Sequence, residues 1–116
     1  MLTLYGIPNC DTVKKARKYL EQKGIAYHFH DFKQEGLSPE KLQDWMTQRD
    51  WSIVLNARST TWRELPQEVK DTVKDAASAA AVLLDNLSMI KRPLLEEDGR
   101  VLQVGFDQKL WDVELF

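Results

Sequence analysis

The chain holds a single cysteine, and with no second thiol it cannot close a disulfide on itself. Cys10 is therefore either a small buried side chain or a reactive group, and the choice between them governs any reading of function. Long apolar runs are missing as well. Nothing approaches the ~20 consecutive apolar residues that span a bilayer, and the longest candidate, Ala76 to Leu84, is interrupted by Ser78. No membrane association is expected. A surplus of positive charge is absent too, since sixteen basic residues face eighteen acidic ones for a formal charge of -2. That removes the blanket attraction of a general nucleic-acid binder, and no direct nucleic-acid partner is expected. There is no Walker sequence and no Gly-x-Gly-x-x-Gly fingerprint, so nucleotide chemistry has no support. No tract rich in Gly, Ser or Pro divides the chain, and 116 residues suffice for one hydrophobic core but not two. The first residues, Met1 to Gly6, lack the basic start and apolar run of a secretory signal, which with the lone cysteine points to the cytoplasm.

What is present begins with a short β-rich run, Leu2 to Ile7, punctuated by Gly6, Pro8 and Asn9. Val13, Ala16 and Leu20 then recur at helical spacing opposite Lys14, Lys15, Lys18 and Glu21, which predicts an amphipathic helix over 11–23 with Gly24 as its stop. Residues 25–32 alternate as a second strand, so the opening reads as a βαβ unit with a parallel pair. Ser38-Pro39 signals a capped helix running to about Gln48, with Leu37 and Leu42 placed as a hydrophobic staple. After the segment 51–56, residues 65–73 and 75–84 read as further helices, and 34–87 as a whole reads as a helical insertion. Near the end, two apolar runs flank Asp98-Gly99, the sequence form of a tight hairpin. Asp107 can cap a last helix that carries Leu110 and Trp111 inward. The order βαβ, helical block, ββα predicts an α/β fold: a thioredoxin-like, mixed four-stranded sheet with a helical insertion in a single domain, 1–116.

Within this frame Cys10 stands where the first strand gives way, through a proline loop, to the first helix. The leading amides of a helix lack partners and carry partial positive charge, so a thiolate there is favoured over the thiol. Asp11 opposes this with an adjacent negative charge, and Lys14 and Arg17, about one turn on, are candidates to offset it. No second cysteine lies three residues further on, so a resolving thiol must come from outside, and glutathione is the economical choice. The alternative is a packed or idle cysteine, the ordinary fate of a lone free thiol.

Other chemistry-bearing residues read more weakly. Arg58, in the polar stretch 55–61, is either a guanidinium facing an anion or an ordinary solvated arginine. Arg92-Pro93 precedes the hairpin, a setting in which a cis peptide occurs. His28 and His30 share a face of the second strand, yet no third ligand stands near them in the sequence, and no metal is expected. Trp45, Trp51, Trp62 and Trp111 are scattered and read as packing residues rather than a base-stacking platform.

Taken together, Tyr5-Gly6-Ile7-Pro8-Asn9-Cys10-Asp11-Thr12-Val13-Lys14-Lys15-Ala16, Arg58, Lys91-Arg92-Pro93 and Val104-Gly105-Phe106 resemble, in order and over nearly the whole length, the arsenate reductase (ArsC)/Spx family and within it the YffB branch. The resemblance implies a small cytoplasmic protein of thioredoxin-like fold acting as a glutathione-dependent thiol reductase. Glutathione is then the co-substrate, an oxidised thiol or an oxyanion the substrate, and no metal is required. It further implies Cys10 as nucleophile, Arg58 and Arg92 as arginines near the thiol, and Pro93 as a cis proline, with all four contributing to glutathione binding. Two fixed positive charges would counter Asp11 and hold an anionic group, and the backbone beside Pro93 would pair with the peptide part of glutathione. Two alternatives come from the same resemblance. An arsenate reductase proper would use a further arginine in the strand after the glycine turn, where this chain has the uncharged Val101-Leu102-Gln103-Val104 and only Arg100 nearby. A non-catalytic Spx-like regulator that binds RNA polymerase would commonly carry Cys-x-x-Cys, where this chain has Cys10 and Val13.

Overall fold

In chain order the elements are β1 (Leu2–Gly6), α1 (Asp11–Gln22), β2 (Tyr27–Asp31), a single turn α2 (Phe32–Glu35), α3 (Pro39–Gln48), α4 (Trp51–Val54) and α5 (Thr60–Glu64). They continue with α6 (Gln67–Lys70), α7 (Ala76–Asp85), a 3-10 turn at Leu87–Met89, β3 (Leu94–Glu97), β4 (Arg100–Val104) and α8 (Gln108–Glu114). The computed structural model covers Met1–Phe116, and it divides into two units: Met1–Glu35 with Arg92–Phe116, and Gly36–Lys91.

The first unit carries the whole sheet, in the order β2-β1-β3-β4. β1 runs parallel to β2 and antiparallel to β3, and β3 runs antiparallel to β4. A parallel pair needs a crossover, and α1 provides it. This is the mixed four-stranded thioredoxin-like sheet that the element order predicts. Alternation along β1 sends Leu2 and Leu4 to one face, where they pack with Leu95, with Ala16, Tyr19 and Leu20 of α1, and with Trp111 of α8. Each large side chain fully removed from water there contributes about 1.5–3 kcal/mol. α1 stops as its sequence predicts: Gly24 adopts φ +69°, and Ile25 N–H donates to Leu20 O at 3.0 Å, the six-to-one bond of a Schellman turn. That bond explains why β2 begins at Tyr27 rather than at Ile25. Its other end is shorter than predicted as well, because Asp31 Oδ1 accepts from Lys33 N–H at 2.8 Å and turns Phe32 into α2.

The hairpin between β3 and β4 has Asp98 at φ 51° and Gly99 at φ 87°. Both central residues are left-handed, the requirement of a type I′ turn. Asp107 caps α8 by accepting from Leu110 N–H at 3.1 Å. Trp111 is fully buried, but Leu110, expected to point inward beside it, is 48% exposed. Adjacent helical residues lie about 100° apart, and the stripe that α8 buries runs through Trp111 and Leu115 instead.

The second unit is built of helices and the turns between them, with one isolated antiparallel bridge between Leu55 and Ile90. Ser38 accepts from Lys41 N–H at 3.1 Å with Pro39 in the first turn of α3, and Asp75 and Ser78 form a reciprocal capping box on α7. Leu42, Trp45, Val54, Ala79 and Leu83, from α3, α4 and α7, are fully buried and form the centre of this unit. The helix predicted over 65–73 is reduced to α6, because Pro66 starts it afresh and Leu65 N–H closes α5 on Trp62 O. α5 itself was not anticipated in the polar stretch where it begins. No helix is long and apolar enough to cross a membrane.

Candidate functional site

β1 ends at Gly6, and the chain turns through Pro8 and Asn9 with Cys10 N–H donating to Ile7 O at 3.4 Å. Cys10 is the N-cap of α1, in extended conformation at φ -95° and ψ 125°, and its own carbonyl accepts from Lys14 N–H at 2.9 Å. Its side chain closes no capping hydrogen bond of ordinary geometry. Cys10 as a residue is half-buried.

Three influences set the ionisation of this thiol. Partial burial pushes it up; the backbone N–H groups of Val13 and Thr12 and the Arg92 guanidinium pull it down, and the net result lies below the ordinary cysteine range. Arg92 reaches the thiol through sheet register. Leu94 of β3 pairs with Tyr5 of β1 in antiparallel sense, so residues just before Leu94 run past the carboxyl end of β1, where the Cys10 loop begins. The Arg92–Pro93 peptide is cis, as the resemblance implies. Pro93 is buried, its carbonyl accepts from Gly105 N–H at 2.7 Å, and Arg92 Nε is shielded from solvent.

Of the two local cations that are candidates to offset Asp11, Arg17 is turned toward the second strand. Arg17 Nε donates to Tyr27 Oη at 3.1 Å, and its guanidinium lies 4.2 Å from the centroid of Phe29, so it is engaged with β2. Lys14 and Asp11 are both exposed. The cation that acts on Cys10 comes instead from the far end of the sequence. Arg58 lies in the second unit, exposed, in the turn between α4 and α5. Its backbone N–H donates to Asn56 Oδ1 at 3.1 Å, and the following residue, Ser59, caps α5 through Trp62 N–H.

Two further clusters escaped the sequence reading. Tyr5 Oη donates to Glu96 Oε1 at 3.1 Å in a buried pair. Burial first, then the Glu96 carboxylate, holds the Tyr5 phenol far above its ordinary range, so it stays neutral. Alternation alone could not bring these residues together; the β1–β3 register does, setting Tyr5 opposite Leu94 and Glu96 opposite Thr3, so that the two side chains meet on the diagonal. The second cluster supplies the carboxylate that His28 and His30 lack in the sequence: Glu35 Oε1 lies 3.9 Å from His28 Nε2 and 3.8 Å from His30 Nδ1. Glu35 Oε2 accepts from Asp31 N–H at 3.2 Å. No group of three His, Cys, Asp or Glu side chains is arranged as a metal site.

The model of the ArsC family matches residues 5–113, a span that includes Cys10, Arg58, Arg92 and Pro93. Among solved structures, the chain is similar to the YFFB protein, with a TM-score of 0.92 and 43% identity over 100% of both chains. It is also similar to an arsenate reductase (ArsC) related protein from Brucella melitensis, with a TM-score of 0.78 and 49% identity, covering 96% of this chain and 91% of that one. The global transcriptional regulator Spx of Staphylococcus epidermidis is 27% identical over 111 residues, 93% of this chain and 82% of the regulator.

Proposed function

The chain belongs to the ArsC family, and from that premise we propose that it is a glutathione-coupled thiol reductase of the cytoplasm with Cys10 as its nucleophile. The observation that carries the reading is the placement of Cys10: a half-buried thiol at the N-cap of α1, with no side-chain capping bond, where the Thr12 and Val13 amides and Arg92 draw its pKa down. Such a sulfur is a thiolate in a larger fraction of molecules at neutral pH and attacks disulfide sulfur accordingly.

With a glutathione mixed disulfide as substrate, the Cys10 thiolate attacks the glutathione sulfur. A Cys10–glutathione disulfide forms and the substrate leaves as its thiolate. A second glutathione thiolate then attacks the glutathione sulfur of that adduct, releasing glutathione disulfide and restoring the Cys10 thiolate. One disulfide is reduced and two glutathiones are joined, with no second protein thiol needed. Arg92 stabilises the thiolate as nucleophile and as leaving group, and offers its guanidinium to a glutathione carboxylate. The resemblance gives Arg58 an anion-binding role, which the Arg58→Ala variant tests separately through the KM for glutathione.

The deciding experiment exposes the purified protein to glutathione disulfide, maps the adduct by mass spectrometry, and then follows reduction of a small glutathione mixed disulfide with excess glutathione. The reading predicts one adduct, on Cys10, and turnover that saturates with glutathione. An unmodified Cys10 and no turnover would refute it. Arsenate in place of the mixed disulfide is predicted to give no turnover, because β4 supplies no arginine beyond its first residue, Arg100.

One observation favours a second reading. An open apolar groove of about 540 Å³, lined in part by Met46, Ala77, Ala80 and Leu84 of α3 and α7, lies in the second unit, and the Spx regulators are similar over most of this chain. A regulator that binds RNA polymerase through such a surface would capture the polymerase stoichiometrically with Cys10→Ser as well as with wild type, and would show no reductase turnover.

A further inference from the structure

Gly6, the last residue of β1, is buried and paired with Asp31 of β2. A glycine at a strand end has two physical justifications: a backbone conformation closed to other residues, or no room for a Cβ. The first does not apply. Gly24, Gly36, Gly99 and Gly105 have positive φ, and Gly6 does not. The second applies strongly, because a Cβ on Gly6 would stand 2.8 Å from Val13 Cγ2 and 3.4 Å from Val13 Cγ1.

Val13 has little freedom to yield. It is fully buried, and a β-branched side chain inside a helix has essentially one favourable χ1, so neither rotation nor retreat to solvent relieves the contact. The backbone of the first turn of α1 would have to move instead. That turn contains the two N–H groups, of Thr12 and Val13, that act on the Cys10 sulfur. A contact between a strand end and a helical side chain thus bears directly on where those amides stand.

We propose that Gly6 is a positioning residue for Cys10: its bare Cα lets Val13 seat against the end of β1, and this seating fixes the first turn of α1 around the sulfur. The inference rests on Cys10 acting as a thiolate, but it reads out in the free protein before substrate or glutathione enters. Gly6 acts through Val13, the side chain its missing Cβ would meet.

The test is the pH dependence of Cys10 alkylation by iodoacetamide in wild type, Gly6→Ala and Gly6→Ala/Val13→Ala, with thermal unfolding measured alongside. Gly6→Ala is expected to move the alkylation midpoint up by about one pH unit and to slow alkylation at neutral pH several-fold. The double variant, which removes the two methyl groups that the new Cβ meets, is expected to bring the midpoint back toward wild type. A merely structural glycine would lower the melting temperature and leave the midpoint where it was, and that result would overturn the proposal. So would a double variant that keeps the raised midpoint. Should Gly6→Ala fail to fold, Val13→Ile presses on the same contact from the helix side; an unchanged midpoint in that variant overturns the proposal equally. Failure of glutathione turnover with an intact Gly6 effect would strike the proposed function alone, and the converse would strike this inference alone.

Discussion

In the second unit, Ser38, Asp50, Ser59 and Asp75 each place a side-chain oxygen on a first-turn amide of the helix they precede. In the first unit, α8 is closed in the same way by Asp107, but α1 opens on Cys10, whose side chain closes no such bond. A good cap stabilises a helix by about 0.5–2 kcal/mol, so α1 forgoes a contribution that five other helices take. What it keeps in exchange is a pair of amide donors available to a sulfur anion. The contrast teaches that one structural position, the residue before the first helical turn, serves stability in one place and reactivity in another. The decision lies in a single side chain.

The largest expected effect comes from turning the exceptional terminus into an ordinary one. Cys10→Ser is expected to drop turnover to background in a glutathione-coupled assay while raising stability in urea denaturation by about 0.5–1 kcal/mol, because serine caps where cysteine does not. A less stable Cys10→Ser protein would break the comparison. Next in size, Arg92→Ala removes the one side-chain cation that lowers the thiol, and is expected to slow alkylation of Cys10 at neutral pH by roughly tenfold, with Arg92→Lys recovering part of the loss. Smaller again, Asp75→Ala should cost about 1 kcal/mol in thermal or chemical unfolding by opening the capping box of α7, with the Cys10 titration unmoved. The smallest effect is a pH dependence. The folded thiol ionises more readily than the unfolded one, so between the two pKa values the unfolded chain holds the extra proton and stability rises with pH. The stabilisation is complete above the unfolded pKa and is lost as pH falls through the folded one. Denaturation of wild type against Cys10→Ser across that window should show the slope in wild type only.

Much of this was legible in the sequence where the signal was local. Ser38-Pro39, Asp98-Gly99, Gly24 and Asp107 each announce a cap, turn or stop by chemistry confined to a few residues, and each stands where it was read. Cys10 at a helix start was legible for the same reason. Signals that depend on distant partners were not. Arg17 sits about two helical turns from Cys10 along the sequence and is held by Tyr27 and Phe29, while Arg92 is brought to the thiol by antiparallel register. Without the family resemblance nothing local marked Arg92 as the relevant cation. Short helices were missed or overrun because one turn carries too little periodicity to register; Ser59 before Thr60 was the signal that could have located α5. Leu110 was misplaced because a seven-residue helix buries one narrow stripe, and Trp111 takes it.

The reactivity of Cys10 rests on its charge in the folded protein at neutral pH. Titration of its ultraviolet thiolate absorbance, with Cys10→Ser as the blank, reads that charge directly. The expected midpoint lies below the free-cysteine value of about 8.5 and moves up when Arg92 is removed. A midpoint at or above that value in the folded wild type would contradict the assignment of Cys10 as a thiolate.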